Sequence, residues 1–263
     1  MYDGQMDAGA EWDKATRLAL ERADLMIERL GRSKQLRVYV SKLKIYSRVP
    51  YICAAWVPHQ SERIEIGSAL CMHAMGLKLL DDLVDGDQPL SPTDLASAYP
   101  ICEYASEIFR KASGGFPIVD ECLFEWSLMW RYVMAEPGNS TRSLSEWEAG
   151  ARRKSLLALY VGTVCNALKT PGLRHRIGRA MESVAVIGQI VDDFKDFETL
   201  GERNSNIASM IKEGMVDRDE ARVFFKGMTA EIAETLLLYP PHFNFIPFVE
   251  GLVGRAQTCL QVE

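Results

Sequence analysis

The stretch LKLLDDLVD at residues 77–85 and the stretch IVDDFKDF at residues 190–197 decide how this chain is interpreted. Each contains three aspartates at positions i, i+1 and i+4 inside an apolar segment. The first motif consists of Asp81, Asp82 and Asp85, and the second motif of Asp192, Asp193 and Asp196. On a helix, residues i and i+4 lie one turn apart on the same face. We therefore expect each motif to present its aspartates on one side of a helix.

Two acidic helices of this kind predict a metal site. If the helices face each other, all six carboxylates converge on one cavity and repel one another unless hard cations bind between them. Mg²⁺ suits this role because it takes oxygen ligands and keeps coordination positions for water and substrate phosphates. The alternative is that the motifs are two solvated acidic helix ends.

Helical signals extend along the whole sequence. Apolar positions in residues 11–31 recur with nearly the period of a helix, and no alternating β pattern of useful length is present. Further helices are predicted at residues 60–85, 94–112, from 143 or 145 to about 168, and from 170–172 toward 200. Ser91 or Thr93 and Ser143 or Ser145 are the expected N-caps. We predict an all-α fold around a central apolar cavity, as one domain over residues 1–263.

The composition argues against several classes of function. The formal net charge is −6 and no run of Lys and Arg offsets it, so nucleic-acid binding is not expected. No run of 18 apolar residues exists, and the first residues, MYDGQMDAGAEWDK, do not resemble a signal peptide. We therefore expect a cytoplasmic protein without a membrane span. The six cysteines include no CxxC pair, which favours free thiols over a zinc site or disulfides.

A third segment, ARRKSLLALYVGTVCNAL at residues 151–168, lies between the two motifs. Lys154 stands 38 residues before Asp192, and Gln189 stands three residues before it. With LLDDLVD, RKSLL and GQIVDDFKDF in this order, the chain resembles the trans-isoprenyl diphosphate synthases and the class I terpene synthases of the same fold. The resemblance covers about residues 40–215 and implies an isoprenoid synthase-type helical bundle.

The resemblance also implies a chemistry and a set of site residues. About three Mg²⁺ ions would bind an allylic prenyl diphosphate between the two motifs. Asp81, Asp85 and Asp192 would be direct ligands, and Asp82, Asp193 and Asp196 would be ligands or would position them. Lys154 and Gln189 would contact the substrate, and Arg153 would sense its diphosphate. Gly76 and Leu77 would line the pocket below the first motif. A homodimer is expected from the resemblance as well.

The chain departs from chain-elongating members of the family at several places, two of which concern the cations that bind diphosphate. The basic segment that binds isopentenyl diphosphate reads KLKIYSRVP at residues 42–50, which keeps Lys44 and Arg48 but lacks the glycine pair. The RRG that follows the first motif in family members is replaced by GDQPLSPTD. Fewer cations would therefore meet a second diphosphate, which favours a terpene cyclase that uses one allylic diphosphate.

Two other functions are compatible with the sequence. The chain could be a trans-prenyltransferase that condenses the allylic diphosphate with isopentenyl diphosphate or another acceptor, through Lys44, Arg48 and a neighbour. It could also be a non-catalytic partner subunit of a prenyl synthase, although such a subunit is expected to lose metal ligands and both motifs are intact.

Two further features have a functional and a structural interpretation. His73 lies eight residues before Asp81 and either touches substrate or is a core histidine with a partner. The segment SNIASMIKE at residues 205–213 resembles a terpene-synthase metal motif through Ser209 and Glu213. Its alternative is a helix N-terminus capped by Asn204 or Ser205.

Overall fold

The computed structural model describes residues 8–43, 49–85, 90–114, 141–154, 157–168, 170–201 and 206–261. Every regular element in these ranges is helical, which confirms the all-α prediction. The isoprenoid synthase-type bundle and its central cavity stay predictions.

Eleven α-helices and one short 3-10 helix lie in the described ranges. The α-helices are α1 Ala8–Arg29, α2 Lys34–Lys42, α3 Gln60–Asp85, α4 Pro92–Leu95, α5 Ala98–Ala112, α6 Leu144–Lys154, α7 Leu157–Ala167, α8 Pro171–Leu200, α9 Ile207–Lys212, α10 Arg218–Leu238 and α11 Ile246–Leu260. The 3-10 helix is Val49–Ala54. No helix in the described part of the chain is long and apolar enough to cross a membrane.

The chain divides into two compact units, and each contains one aspartate motif. Unit 1 comprises Met1–Met134, Tyr160–Pro171 and His242–Asn244, and unit 2 comprises Ala135–Leu159, Gly172–Pro241 and Phe245–Glu263. The first motif ends α3 in unit 1, and the second motif lies near the end of α8 in unit 2. The single domain over residues 1–263 stays a prediction.

Helix α3 is the central element of unit 1 and packs against α1, α5 and the 3-10 helix. On α1, the residues at every fourth position, Ala15, Ala19, Ala23 and Ile27, have no exposed surface. Three of these side chains are methyl groups, so the backbone of α1 can lie close to its neighbours. This apolar face holds α1 in place beside the helix that carries the first motif.

A buried polar network fixes the start of α3. The carboxylate of Glu11 accepts hydrogen bonds from Tyr51 Oη, from Gln60 Nε2 at 2.7 Å and from Arg63 Nε at 2.6 Å. Burial raises the pKa of Glu11, but these hydrogen bonds outweigh it and the net pKa is lowered. Since Arg63 also donates to the carbonyl of Val57 at 2.6 Å, the network is satisfied and its role is structural.

The 30-residue helix α8 organises unit 2. Helix α6 runs past it in the opposite direction, since Trp147 lies beside Asp193 while Arg152 pairs with Glu182 at 3.4 Å. On another side, Ser183 Oγ donates to Glu231 of α10 at 3.0 Å. Helix α8 is therefore held by contacts on different sides up to the level of the second motif.

Several of the predicted helix boundaries are correct. The predicted segment 60–85 coincides with α3, and Ser143 Oγ accepts a hydrogen bond from the amide of Glu146 at the start of α6. The single helix predicted over 94–112 is wrong, because Ser91 caps only the short helix α4 and a second helix, α5, begins at Ala98. The helix predicted from 143 or 145 to about 168 is described as α6 and α7, with residues 155–156 outside the described ranges. The five described cysteines are free thiols, as predicted.

Candidate functional site

The first motif occupies the last turns of α3, where its second aspartate is buried. Asp82 is 3% exposed and accepts hydrogen bonds from Tyr39 Oη of α2 and from Lys78 Nζ at 3.0 Å. The side chain of Asp81 is 35% exposed. The backbone of Asp85 is helical, but its side chain lies outside the described part of the structure. The first motif thus contains one aspartate that faces the protein and one that reaches solvent.

Lys78 forms an internal cation at the first motif. Its Nζ lies 2.5 Å from Asp81 Oδ2 and 3.0 Å from Asp82 Oδ1. Burial lowers the pKa of Lys78, but the hydrogen bonds to the two carboxylates outweigh burial and raise its pKa well above the ordinary value. Lys78 is therefore a charged ammonium that neutralises part of the motif.

The second motif repeats this arrangement with different partners. Asp193 is 5% exposed, and its carboxylate accepts hydrogen bonds from Trp147 Nε1 at 2.9 Å, from Gln189 Nε2 at 2.6 Å and from the amide of Ile207 at 2.8 Å. Its backbone carbonyl accepts a further hydrogen bond from Asn206 Nδ2 at 2.7 Å. A carboxylate that accepts three hydrogen bonds is fixed in position. Asp193 consequently ties α6 and the start of α9 to α8.

Asp192 and Asp196 occupy the outward positions of the second motif. Asp192 is exposed and Asp196 is partly exposed, and they stand one helical turn apart. The pKa of the Asp192 carboxyl is raised, first by desolvation from the surrounding protein and then by the negative charge of Asp196. Lys195 and Arg255 of α11 act in the opposite direction without cancelling this. Two carboxylates that repel each other in this way would gain from a shared cation.

The donor chemistry fits Mg²⁺, although no described cluster is complete by itself. Among the described side chains, no group of three or more His, Cys, Asp or Glu residues could hold a metal ion. Asp85, the fifth residue of the first motif, is not among these side chains. The outward oxygens of Asp81, Asp192 and Asp196 are hard ligands of the kind that Mg²⁺ prefers.

The other predicted substrate residues have different outcomes. Gln189 donates to Asp193, so the structure gives it a role in positioning the second motif. Lys154 and Arg153 lie in the last turn of α6, but their side chains are not described. Lys44 and Arg48 lie outside the described residues. Contact of all five residues with substrate stays a prediction.

Gly76 and Leu77 are both buried in unit 1. A Cβ at position 76 would overlap Cys102 Sγ and lie 3.0 Å from the carbonyl oxygen of Ala98, both on α5. The glycine at this position therefore allows α3 and α5 to approach closely. A role of Gly76 and Leu77 in lining a substrate pocket stays a prediction.

The two features with alternative interpretations have structural partners. His73 is 1% exposed, and its Nδ1 lies 2.9 Å from Tyr160 Oη, as expected of a core histidine with a partner. Ser209 Oγ donates to Glu213 Oε1 at 3.2 Å. The cap of this helix is Asn206, whose Oδ1 accepts from the amide of Ser209 at 3.1 Å, so the predicted caps Asn204 and Ser205 are wrong. A cap at Asn206 is favoured because its amide also bonds the carbonyl of Asp193.

Sequence reasoning missed the two aromatic donors, Tyr39 and Trp147. Each reaches the middle aspartate of a motif from a helix more than 40 residues earlier in the chain. No local signal in the sequence indicates such partners. The pairing of Lys78 with Asp81 and Asp82 follows from helical spacing at i+3 and i+4 and could have been predicted.

The chain matches no protein-family model and no curated protein at a significant score.

Proposed function

We propose that this protein is a Mg²⁺-dependent class I isoprenoid synthase that ionises an allylic prenyl diphosphate, acting mainly as a terpene cyclase. The observation that carries the proposal is that both motifs divide their aspartates between a buried and a solvent-exposed position, which we call the division of labour. In each motif the middle aspartate is buried and accepts a hydrogen bond from an aromatic side chain, while the aspartate before it reaches solvent.

This division argues against two solvated acidic helix ends. Burying an aspartate is unfavourable unless donors satisfy it, so a helix end that only needs solubility gains nothing from Asp82 or Asp193 in a buried position. A buried middle aspartate does have a use if the outer carboxylates must be held at fixed positions. It fixes the rotation of the helix and thereby the direction in which Asp81 or Asp192 projects.

Asp81 and Asp85 in the first motif, and Asp192 and Asp196 in the second motif, would hold metal ions in the proposed enzyme. When bound, Mg²⁺ would neutralise the charge that builds on the departing diphosphate as the allylic C–O bond breaks. Lys154 would add a positive charge on the same group. Asp82 and Asp193 would serve as positioning residues rather than as ligands, because hydrogen bonds already engage both carboxylates.

The choice of a cyclase rests on the sequence of the first motif and its surroundings. No Lys or Arg occurs between residues 79 and 109, where chain-elongating relatives carry cations for two diphosphates. One allylic diphosphate that reacts with itself does not need this second set of cations. Cyclisation or elimination therefore agrees with the residues present.

A product assay tests the proposal. Purified protein would be incubated with Mg²⁺ and geranyl, farnesyl or geranylgeranyl diphosphate, each with and without isopentenyl diphosphate, and extracts would be analysed by gas chromatography and mass spectrometry. We expect a hydrocarbon or alcohol that forms without isopentenyl diphosphate and disappears in EDTA. A longer prenyl diphosphate that forms only with both substrates would establish the prenyltransferase instead. Consumption of none of the three substrates would contradict both functions.

A further inference from the structure

A polar residue lies three positions before each motif, a charged lysine at the first motif and a neutral glutamine at the second. Lys78 precedes Asp81 by three residues, and Gln189 precedes Asp192 by three residues. Lys78 Nζ donates to Asp82 Oδ1 at 3.0 Å, and Gln189 Nε2 donates to Asp193 Oδ1 at 2.6 Å. Each side chain thus reaches the middle aspartate of its motif from one helical turn earlier.

Only the lysine also engages the outward aspartate of its motif. Lys78 Nζ lies 2.5 Å from Asp81 Oδ2, so the ammonium occupies the side of this carboxylate that a divalent cation would need. At the second motif, neither Asp192 nor Asp196 has a hydrogen bond or ion pair closer than 4 Å with another described residue. Burial and then the charge of Asp196 raise the pKa of Asp192, and the charges of Lys195 and Arg255 lower it in part.

We propose that Lys78 is a built-in competitor of the metal ion at the first motif, and that the two motifs therefore bind divalent cations with unequal affinity. This inference deepens the proposed function, on which it rests. A cation can bind Asp81 only after the ion pair with Lys78 opens, and it then also meets the repulsion of the nearby ammonium. The second motif has the neutral Gln189 in the equivalent place. Its nearby cations, Lys195 and Arg255, act on Asp192 only through their charge and form no ion pair with it within 4 Å among the described residues. No bonded cation therefore has to leave Asp192 before a metal ion binds.

The residue at the second motif indicates which substitution to make at Lys78. Lys78→Gln gives the first motif the residue that the second motif already has, and a glutamine can still donate to Asp82. Tyr39 continues to donate to the same carboxylate, so Asp82 is not left without a donor. The exchange therefore removes the competing charge while it keeps the buried aspartate satisfied. Gln189→Lys is the reciprocal exchange at the second motif.

Binding of Mn²⁺ alone tests the proposal without any substrate. Free Mn²⁺ would be measured by electron paramagnetic resonance during titration of the full chain. Asp192→Asn/Asp196→Asn would serve as the background, so that binding reports the first motif. We expect Lys78→Gln to tighten Mn²⁺ binding about fivefold to tenfold, as for loss of one partly screened charge near the ion. Lys78→Arg, which keeps the charge, should bind like the background.

Two further variants complete the test: Gln189→Lys, and Lys78→Gln combined with Asp81→Asn. On an otherwise natural chain, Gln189→Lys should weaken the tighter class of Mn²⁺ sites. Adding Asp81→Asn to Lys78→Gln should abolish the gain at the first motif. Unchanged or weaker binding in Lys78→Gln would overturn the proposal. If that variant does not fold by circular dichroism, Lys78→Met provides the same charge change with a side chain of similar length.

The result is separable from the proposed function. Tighter Mn²⁺ binding by Lys78→Gln together with no turnover of any allylic diphosphate would leave Lys78 as a competitor and remove the isoprenoid synthase. Turnover of an allylic diphosphate with no change in Mn²⁺ binding would do the reverse.

Discussion

The indole nitrogen of Trp147 donates a hydrogen bond of 2.9 Å to the carboxylate of Asp193, and both side chains are buried. This bond joins the helix that carries Lys154 to the helix that carries the second motif. A hydrogen bond to a buried charged group contributes more to stability than one between neutral groups. If the donor is removed, no water molecule reaches the buried group to take its place.

Trp147→Phe should therefore destabilise the protein. The substitution keeps an aromatic ring at this position but removes the N–H donor, which leaves Asp193 with the hydrogen bonds from Gln189 and Ile207. We expect the free energy of unfolding to fall by about 1.5–3 kcal/mol. Urea unfolding followed by circular dichroism in EDTA measures this value.

Tyr99→Phe is the control for that experiment. It also removes a donor to a carboxylate, since Tyr99 Oη donates to Glu103 at 2.6 Å, but this pair is on the surface. We expect no measurable change in stability. Equal losses in Trp147→Phe and Tyr99→Phe would contradict the role given to the buried bond.

Helical periodicity predicted which segments are helices because it depends on neighbours three or four residues apart. The bounds of α3 follow from an apolar run that begins after the polar residues Gln60–Arg63 and continues to Asp85. The same spacing accounts for the pairing of Lys78 with the first motif. These features are local, so a single sequence is enough to predict them.

Periodicity does not tell which helix covers a buried face, and this limited the prediction of the site. Tyr39 and Asp82 are 43 residues apart, and Trp147 and Asp193 are 46 residues apart. The resemblance already distinguished direct ligands from the other aspartates, but nothing in the sequence indicated that Asp82 and Asp193 are buried. Their burial depends on tertiary partners.

His73 should make the stability of unit 1 sensitive to acid. Burial lowers the pKa of His73 to about 3, whereas an unfolded chain has a histidine pKa of about 6.5. Between these values the unfolded state binds more protons than the folded state, so stability falls as the pH is lowered. We expect the contribution of His73 to fall by about 2 kcal/mol between pH 7 and pH 5.

Urea unfolding of the wild type and of His73→Gln at pH 7, 6 and 5 measures this dependence. Glutamine cannot be protonated, so the variant should lose stability less steeply toward acid even if it is less stable at pH 7. His59→Gln, at an exposed position, is the matched control and should keep the slope of the wild type. Parallel curves for His73→Gln and the wild type would contradict the prediction.

Gly76→Ala should destabilise the contact between α3 and α5. The added methyl group would overlap Cys102 Sγ and lie 3.0 Å from the backbone oxygen of Ala98, which cannot move without the helix. We expect the free energy of unfolding to fall by about 1–3 kcal/mol, as in other overpacked cores. Adding Cys102→Ala should recover part of this loss, because it removes the nearest atom.

Gly150→Ala is the control for that change. Gly150 also lies inside a helix, but a Cβ there would meet nothing within 4 Å. Alanine favours the helix over glycine by up to about 1 kcal/mol, so this variant should be as stable as the wild type or more stable. Thermal unfolding of both variants gives the comparison. A loss of stability in Gly150→Ala similar to that in Gly76→Ala would show that close helix packing is not the cause.

The outward and buried aspartates of one motif should differ in what their substitution changes. Asp81→Asn should lower turnover of an allylic diphosphate by about 100-fold or more, because it removes a proposed metal ligand, and should leave unfolding nearly unchanged. Asp82→Asn should lower the free energy of unfolding by about 1–3 kcal/mol, because it disrupts the bonds to Tyr39 and Lys78. Any turnover that Asp82→Asn loses should return in part when Mg²⁺ is raised, since the ligands themselves are present.

Product formation over a range of Mg²⁺ concentrations and urea unfolding in EDTA separate these two effects. Asp192→Asn and Asp193→Asn should repeat the contrast at the second motif, where the donors are Trp147 and Gln189 rather than Tyr39 and Lys78. The donors to Asp82 and Asp193 differ, but both aspartates are buried. The same loss of stability in Asp82→Asn and Asp193→Asn would therefore be attributed to burial rather than to one kind of donor. If Asp82→Asn proves as inactive as Asp81→Asn at saturating Mg²⁺ while unfolding is unchanged, the buried aspartate is itself a ligand and the division of labour is wrong.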